Sequence, residues 1–556
     1  MNLTIFPNSL PGNGKGHVKR AEQIQHDLSG YHTVRLVNQE EFQNNAYDND
    51  GLLVFDQRET GERDFRLSKG KSAIALDEGG LFRDEMDYLV DTLPNLEKSQ
   101  ANVRAFHRCF DKRKAELRFP PEKILITFGG EDEKNLSSLL LDFFMDQGLD
   151  KKFSITLVQG PGFKRTQWPL GLRVLKNPEN IDKEILASDL VFTHFGLSCF
   201  EALYQGVSVL LVNPSKYHEQ LGRKAGLLSL GVNCIKKQCF FRLFNNPKKT
   251  LKRFSHQLAN YLKTPELLSQ ILGNLRPEAI NRCPLCDEHK NKAIGRFPNK
   301  TYFQCRNCAL IYAIPFSRRE NPYEESYFFD DYKKQYGKTY LEDFDNIKKN
   351  SFDRLKIMLG LMASDKKRGF LDIGCAYGPF LAAVNDSGHL AQGIEISSHA
   401  VDYVTRKLKL PCLCCDVEKD FPSFEQTFDG VSFWYVLEHF ALLKSLLSNV
   451  NKCMKIGGIL ALGLPNSQGI SMIKNKLAYL KAHPDDHFTL WKPGTIKKQL
   501  KLAGFRLRRI RITGHHGERF PVFGKIKAMG GILNQLSRFF GLGDTFEVYA
   551  EKERDI

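Results

Sequence analysis

The chain has 556 residues, 42% of them apolar, with a formal net charge of +16 and a pI near 9.1. That length suits three to four domains with cores of their own, and the mixed composition excludes a disordered or fibrous chain. No apolar run is long enough to cross a membrane, and the first residues lack the basic start and apolar core of a secretion signal. Thirteen cysteines, an odd number, argue against a disulfide framework, so a cytoplasmic protein is expected. The positive charge is spread along the chain. No polyanion-binding tail is predicted, while phosphorylated small molecules, acidic membranes or nucleic acid stay compatible as partners.

In chain order, residues 2–6 read as a strand. They lead into a glycine-rich turn holding Gly14 and Gly16, then His17, Arg20 and a helix from Ala21. A glycine turn before a helix presents backbone N–H groups to phosphate. A strand at 51–56 follows. The next strand, 123–128, ends in Gly129 and Gly130, with Asn135 just beyond. Strands are predicted at 153–158 and 188–193, a glycine turn at Gly196, a helix from Leu197 through Glu201, and a strand at 207–213 ahead of His218, Glu219 and Gln220.

Three patterns here are G-x-G-H-x-x-R at Gly14 to Arg20, F-G-G-x-D-x-x-N at Phe128 to Asn135, and the helix start from Gly196 to Glu201. With their order, they make residues 1–265 resemble the two-lobed GT-B glycosyltransferase fold. The nearest resemblance is to the UDP-sugar hydrolase of pseudaminic acid biosynthesis, with the peptidoglycan N-acetylglucosaminyltransferase more distant. The resemblance implies an N-terminal lobe at 1–118 and a nucleotide-binding lobe at 119–265. It implies that Glu201 holds the nucleotide's ribose, with Gln220 beside it, and that Gly14, Gly16, Gly129, Gly130, Asn135 and Gly196 line the substrate. His17 would be the base that activates water. The first lobe is shorter than those families' usual one, between Arg20 and residue 51, which puts its acceptor side in question.

A linker is expected at 266–282. Cys283, Cys286, Cys305 and Cys308 follow as C-x2-C-x18-C-x2-C, a spacing that can place four thiolates tetrahedrally around Zn²⁺. A closed four-thiolate site has no open position, so its role would be structural. The predicted zinc ribbon spans 283–319.

Residues 369–373 form an apolar run carrying Asp372, then a glycine turn from Gly374 to Gly378, then a helix from Pro379. Glu395 lies near the end of the next strand, about twenty residues on, where an acid can accept both hydroxyls of a ribose. The turn is G-x-x-x-G and lacks the pyrophosphate glycine of a dinucleotide site. With Asp416 after a third strand, strands at 428–433 and 459–464, and a closing pair at 505–513 and 544–551, residues 320–556 resemble the class I S-adenosylmethionine-dependent methyltransferases. The resemblance implies a Rossmann-like fold in which Asp372, Gly374, Gly378 and Glu395 hold the cofactor and Asp416 its adenine amine. His439, after the fourth strand, and His487, in His483-Pro-Asp-Asp-His487, are the candidate catalytic bases, since an imidazole titrates near neutral pH. A ribbon ahead of such a core resembles bacterial methyltransferases of surface-polysaccharide and deoxysugar pathways. Some ribosomal RNA methyltransferases also carry a zinc module there.

The α/β reading is therefore a GT-B-like half, a small zinc ribbon and a methyltransferase domain. The expected function is a bifunctional enzyme of cell-surface glycan or nonulosonate-type sugar biosynthesis. Its cofactors would be S-adenosylmethionine and structural Zn²⁺, and its substrate a UDP-linked sugar or a lipid-linked glycan. An RNA methyltransferase with a nucleotide-binding first half is the alternative. Between residues 514 and 543, Ile526, Met529, Ile532, Leu533, Leu536, Phe539 and Phe540 lie at helical spacing, flanked by Lys525, Lys527 and Arg538. They suit a helix covering the substrate, or one lying on a membrane surface.

Overall fold

The computed structural model describes the chain except residues 1, 9–15, 39, 42–43, 45–50, 95–99, 131, 164–166, 170, 262, 264, 278–279, 290, 318–332, 334–336, 364–365, 426 and 521–529. Gly14 and Lys15, Tyr323 to Tyr332, Tyr336, and Lys525 to Met529 lie outside the described residues. The chain divides into two compact units, residues 1–275 and 276–556.

The first unit holds two parallel sheets. Its opening strands are β1 (Asn2–Pro7), β2 (Thr33–Leu36), β3 (Leu52–Asp56), β4 (Ser72–Leu76), β5 (Tyr88–Asp91) and β6 (Val103–Phe106). Helix α1 (Gly16–Leu28) connects β1 to β2. The second set is β7 (Lys123–Thr127), β8 (Ser154–Gln159), β9 (Arg173–Lys176), β10 (Leu190–Thr193), β11 (Ser208–Asn213) and β12 (Leu228–Val232). Among its helices are α2 (Leu136–Asp146), α3 (Leu197–Tyr204) and α4 (Lys216–Lys224). Strands β3, β4 and β11 are buried at every position, as continuous apolar runs in a sheet covered on both faces must be.

The stretch expected as a linker is partly structural. Residues Glu266–Leu267 form β13, which pairs in parallel with Ala105 and Phe106 of β6. Helix α5 (Leu268–Asn274) then packs on α1, where Ser269 Oγ donates to Asp27 Oδ2 at 2.9 Å. The edge of β6 would otherwise leave its backbone groups unpaired, and the returning chain satisfies them. The finished sheets run β13-β6-β5-β4-β3-β1-β2 and β12-β11-β10-β7-β8-β9. The first sheet has seven strands, six from residues 2–106 and β13 from the returning chain.

The second unit opens with β14 (Asn291–Phe297), β15 (Lys300–Cys305) and β16 (Ile311–Pro315), an antiparallel ribbon. Helix α6 (Phe344–Leu361) precedes β17 (Gly369–Ile373), α7 (Pro379–Asp386), β18 (Leu390–Glu395), β19 (Cys412–Cys414) and β20 (Phe428–Trp434). Then come α8 (Leu443–Cys453), β21 (Met454–Pro465), β22 (Thr489–Leu490), β23 (Phe505–Thr513), α9 (Gly530–Phe539) and β24 (Thr545–Lys552). The large sheet runs β19-β18-β17-β20-β21-β24-β23, parallel except for β24, which lies antiparallel to both neighbours. The ribbon expected to close at residue 319 does not close on itself. Its fourth strand is β22, from much later in the chain, paired with β16.

Helix α9 turns Leu533 and Ser537 inward, while Ile532, Leu536, Phe539 and Phe540 are exposed. Most of its described apolar face therefore does not pack on the core as a covering helix would. Among the described residues, no helix is long and apolar enough to cross a membrane.

Each parallel sheet reverses its strand order once: between β1 and β3, between β10 and β7, and between β17 and β20. At such a point the connections leave in opposite directions and open a crevice at the carboxyl ends of the strands.

Candidate functional site

At the first reversal, Asp56 ends β3 and His17 starts α1. His17 Nδ1 lies 2.5 Å from Asp56 Oδ1, and both side chains are buried. Arg20, one turn along α1 and 2% exposed, binds Asp56 through Nε at 2.8 Å and through Nη2. Its Nη1 donates to Asp77 Oδ2 at 2.7 Å and to Thr92 Oγ1 at 2.6 Å. One guanidinium thus gathers the carboxyl ends of β3, β4 and β5. Burial works to raise the Asp56 pKa, but the Arg20 and His17 charges more than offset it and hold the carboxylate down to about 2. A fixed carboxylate on Nδ1 sets the imidazole's tautomer and turns Nε2 away from Asp56.

The second reversal carries the other glycine turns of this unit. Gly129 follows β7 with φ +79°, and a Cβ on it would stand 3.8 Å from His194 Nε2. His194 follows β10, and its Nε2 lies 3.2 Å from the Phe128 carbonyl oxygen. A side chain on Gly196 would press His194 at 3.1 Å, and one on Gly160 would meet the Gly130 carbonyl oxygen at 2.5 Å. The two lobes approach at these turns, since a Cβ on Gly16 would stand 3.4 Å from Leu197 Cδ1.

The structure places the remaining candidate residues of this unit as follows. Asp132 caps α2, accepting from the Leu136 and Ser137 N–H groups at 2.7 and 2.8 Å. Asn135 supplies a left-handed turn at φ +51°, with its side chain exposed. Glu201 is engaged by the segment after β6, with His107 Nε2 at 3.2 Å and Arg108 Nη2 at 3.0 Å. The Glu201 carboxylate is thus already engaged by two side chains of that segment. Gln220 is exposed; its neighbour Glu219 turns inward and accepts from Asn213 Nδ2 and Ser229 Oγ.

In the second unit, Gly374 leaves β17 with φ +72°, and a Cβ there would lie 2.6 Å from Val436 beyond β20. Gly378, with φ +77°, opens α7. Ala376 between them is also left-handed, at φ +48°, and its N–H donates to Glu395 Oε2 at 2.9 Å. Glu395 Oε1 accepts from the Ile396 and Ser397 N–H groups at 2.9 and 3.0 Å. Burial raises the Glu395 carboxyl despite these donors. The acid at the end of β18 thus clasps the glycine turn of β17. Asp416 Oδ2 meets Lys419 Nζ at 2.9 Å on the loop after β19.

Just beyond Val436, Glu438 and His439 lie in a short 3-10 turn after β20. The Phe488 N–H donates to the Glu438 carbonyl at 2.8 Å, and the Ala313 N–H of β16 donates to the Phe488 carbonyl at 2.8 Å. The ribbon and the β20 end therefore grip the segment carrying His487 from both sides. The His439 and His487 rings meet edge to face, 4.4 Å apart. His439 Nδ1 pairs with Asp486 Oδ2 at 3.0 Å, and His487 Nδ1 with His483 Nε2 at 3.0 Å. Burial lifts the Glu438 carboxyl to about 7.

The four ribbon cysteines lie together, with every Sγ within 4.8 Å of the others. Cys283 and Cys308 are 3.5 Å apart and Cys286 and Cys305 3.6 Å. A tetrahedron with Zn–S bonds of about 2.3 Å has edges of about 3.8 Å, so the donor set fits Zn²⁺.

A family model described as a methyltransferase domain matches residues 349–510. Residues 349–510 form a methyltransferase domain. The sheet it contributes to has the Rossmann-like order, and β24, beyond the matched residues, is its antiparallel strand. Solved structures similar to part of the chain include an S-adenosylmethionine-dependent methyltransferase from Archaeoglobus fulgidus, at 19% identity and TM-score 0.30, covering 40% of this chain and 98% of that one. A magnesium protoporphyrin IX methyltransferase from Synechocystis with bound S-adenosylhomocysteine is similar at 15% identity and TM-score 0.29, covering 41% and 97%. Among curated proteins, the uncharacterized protein MJ1062 of Methanocaldococcus jannaschii is 31% identical over 113 residues, 18% of this chain and 22% of that protein. The chain thus matches about a fifth of that relative's length.

Within the methyltransferase domain, Asp372 is turned toward its neighbour strand. Ser432 Oγ donates to Asp372 Oδ1 at 2.6 Å, and burial pushes the carboxyl from 3.8 up to about 7 against the pull of Ser432 and Arg354. The folded state therefore keeps a proton that the unfolded chain gives up above about pH 4. Stability should fall between pH 4 and 7, by about 4 kcal/mol from this group. Asp372→Asn removes the titration. Its unfolding free energy relative to the parent should rise from pH 4 to pH 8 in denaturant titrations, and a constant gap would refute the assignment.

Neither Glu438 nor Asp56, the partner of His17, stands out in the sequence as a site residue. Asp56 carried one signal, an acid at the end of an apolar strand. Nothing local linked His483 and Asp486 to His439.

Proposed function

We propose that the chain is a bifunctional enzyme of cell-surface glycan or nonulosonate-type sugar biosynthesis. Its methyltransferase domain would take the methyl group from S-adenosylmethionine. Gly374 and Gly378 would admit the methionine end, Glu395 the ribose and Asp416 the adenine amine. The cofactor supplies an electrophilic methyl group; the protein aligns the acceptor and takes up its proton. The Glu438, His439 and His487 cluster starts two residues past Val436, which meets Gly374 at the strand-order reversal, so it is the acceptor side in this reading. The four-cysteine ribbon would hold structural Zn²⁺ and position His487 through the pairing of β16 with β22.

The first unit would be a GT-B pair that binds a UDP-sugar and hydrolyses it, or transfers its sugar. The observation that carries this is the buried His17–Asp56 contact at the β1/β3 reversal, a base with its orienting carboxylate. Backbone N–H groups of the turns after β7 and β10 would stabilise the leaving nucleotide.

Mass spectrometry of a nucleotide-sugar pool, incubated with and without S-adenosylmethionine, tests both halves. Released UDP or UMP with free sugar, and a methylated sugar, are the expected products. His17→Asn should abolish cleavage and leave methyl transfer intact; equal cleavage in the variant would remove His17 from the mechanism. The net charge of +16 favours one second reading, an RNA methyltransferase. In that case RNA affinity would fall steeply with salt and the sugar pool would stay unchanged.

A further inference from the structure

The Glu438 carboxyl is 1% exposed, and its Oε2 has no hydrogen-bond partner among the described residues. A buried acceptor left unsatisfied is costly, and a bound cation would relieve the cost. Glu438, His439 and His487 each offer one ligand atom, and these atoms all lie within 4.8 Å of one another. Both imidazoles are already oriented through Nδ1, His439 by Asp486 and His487 by His483, each at 3.0 Å. Metal-binding histidines carry such an outer partner on the ring nitrogen that does not face the ion. The ligands come from two segments, and the second is held in place by β16 of the ribbon.

We propose that Glu438, His439 and His487 bind one divalent first-row transition-metal ion, which holds the methyl acceptor through a hydroxyl oxygen. Two imidazoles and a carboxylate suit Mn²⁺, Fe²⁺, Co²⁺ or Zn²⁺ better than Mg²⁺ or Ca²⁺. Three protein ligands leave coordination positions open, which the four-cysteine site does not. An ion-bound hydroxyl loses its proton to water more readily. Val436 packs against Gly374, so the ion site begins two residues past the point where β20 meets the glycine turn. The acceptor role rests on the methyltransferase reading of this cluster; the ion site itself does not.

The test uses the full chain, stripped with a chelator, reloaded with Co²⁺ and dialysed, with metal counted by mass spectrometry. Two ions per chain are expected, one giving a thiolate-to-cobalt charge-transfer band and one not. Glu438→Gln and His487→Asn should each keep the thiolate band and drop to one ion. If Glu438→Gln does not fold by circular dichroism, His487→Asn decides. One ion in the parent protein, or two in a folded variant, overturns the site. Calorimetry with S-adenosylhomocysteine on the same samples separates the two ideas. Binding retained with a single ion in the parent rejects the metal alone. Two ions with no S-adenosylhomocysteine binding rejects the acceptor role. With both present, the variants should raise KM for the methylated sugar by about tenfold and leave S-adenosylhomocysteine affinity within about twofold.

Discussion

Cys305→Ser is expected to unfold the ribbon locally and to cut methyl transfer without abolishing cofactor binding. The four sulfurs lie within 4.8 Å of one another, a spacing that fits Zn²⁺, and Cys283, Cys305 and Cys308 are buried. In small zinc modules the binding free energy, on the order of 10 kcal/mol, is also the folding free energy. The ribbon's three strands have few other means of closing. Phe297, Tyr302, Ile311, Ala313, Met472, Leu480 and Leu490 form one small apolar cluster, and part of it belongs to later segments. Without the ion, amides of Lys300–Cys305 and Ile311–Pro315 should lose hydrogen-exchange protection. The loss should spread along the backbone bonds from Ala313 to Phe488 and from Phe488 to Glu438. His487 would lose its position, so kcat should fall steeply. Glu395 and Gly374 lie on other strands, and S-adenosylhomocysteine affinity should hold within a few-fold. Unchanged exchange in β15 and β16 would show that the thiols close the ribbon without a metal. Equal loss of kcat and cofactor affinity would show that the ribbon supports the whole domain.

Asp56→Ala should destabilise the first unit by about 3–5 kcal/mol, the cost of stranding a buried charge. Arg20 has no route to water at 2% exposure, and the substitution removes two of its bonds, leaving Asp77 and Thr92. The pH dependence has a definite sign. The folded carboxylate sits at about 2 against an ordinary 3.8. Its contribution is present above pH 4 and is lost as the pH falls toward 2. Denaturant titrations of the parent and the variant should converge over that interval. Cleavage of nucleotide sugar should also be lost, because His17 would have no carboxylate on Nδ1. A stable variant with intact cleavage would remove both the structural and the orienting role. A stable variant without cleavage would keep only the second.

Local patterns were legible along the chain. An apolar run that ends in a glycine turn before a helix can be read from a dozen residues, because the strand period, the positive φ and the helix start are all local constraints. Strands Gly369–Ile373 and Phe505–Thr513 fall where those patterns put them. The cysteine spacing was readable because two knuckles are short-range turns. Residues 266–274 were not readable as part of a sheet, since β13 has two residues and owes its existence to the open edge of β6. The sequence placed Asn135 and Gln220 in their motifs but could not show where their side chains are, and both are exposed. A motif names positions, whereas the direction of each side chain depends on the turn that carries it.

By itself the sequence determined the α/β class, the glycine turns, the acid at the end of β18 and the four-thiolate set. Each is a matter of residue type at short spacing. Only the tertiary structure decided which groups share a site. It joined Asp56 to His17, occupied Glu201 with His107 and Arg108, and closed the ribbon with β22. It also set Glu438 and His439 against a histidine from a distant loop. These pairings depend on strand order and on which carboxyl ends meet where that order reverses, and no local window of the chain carries that information.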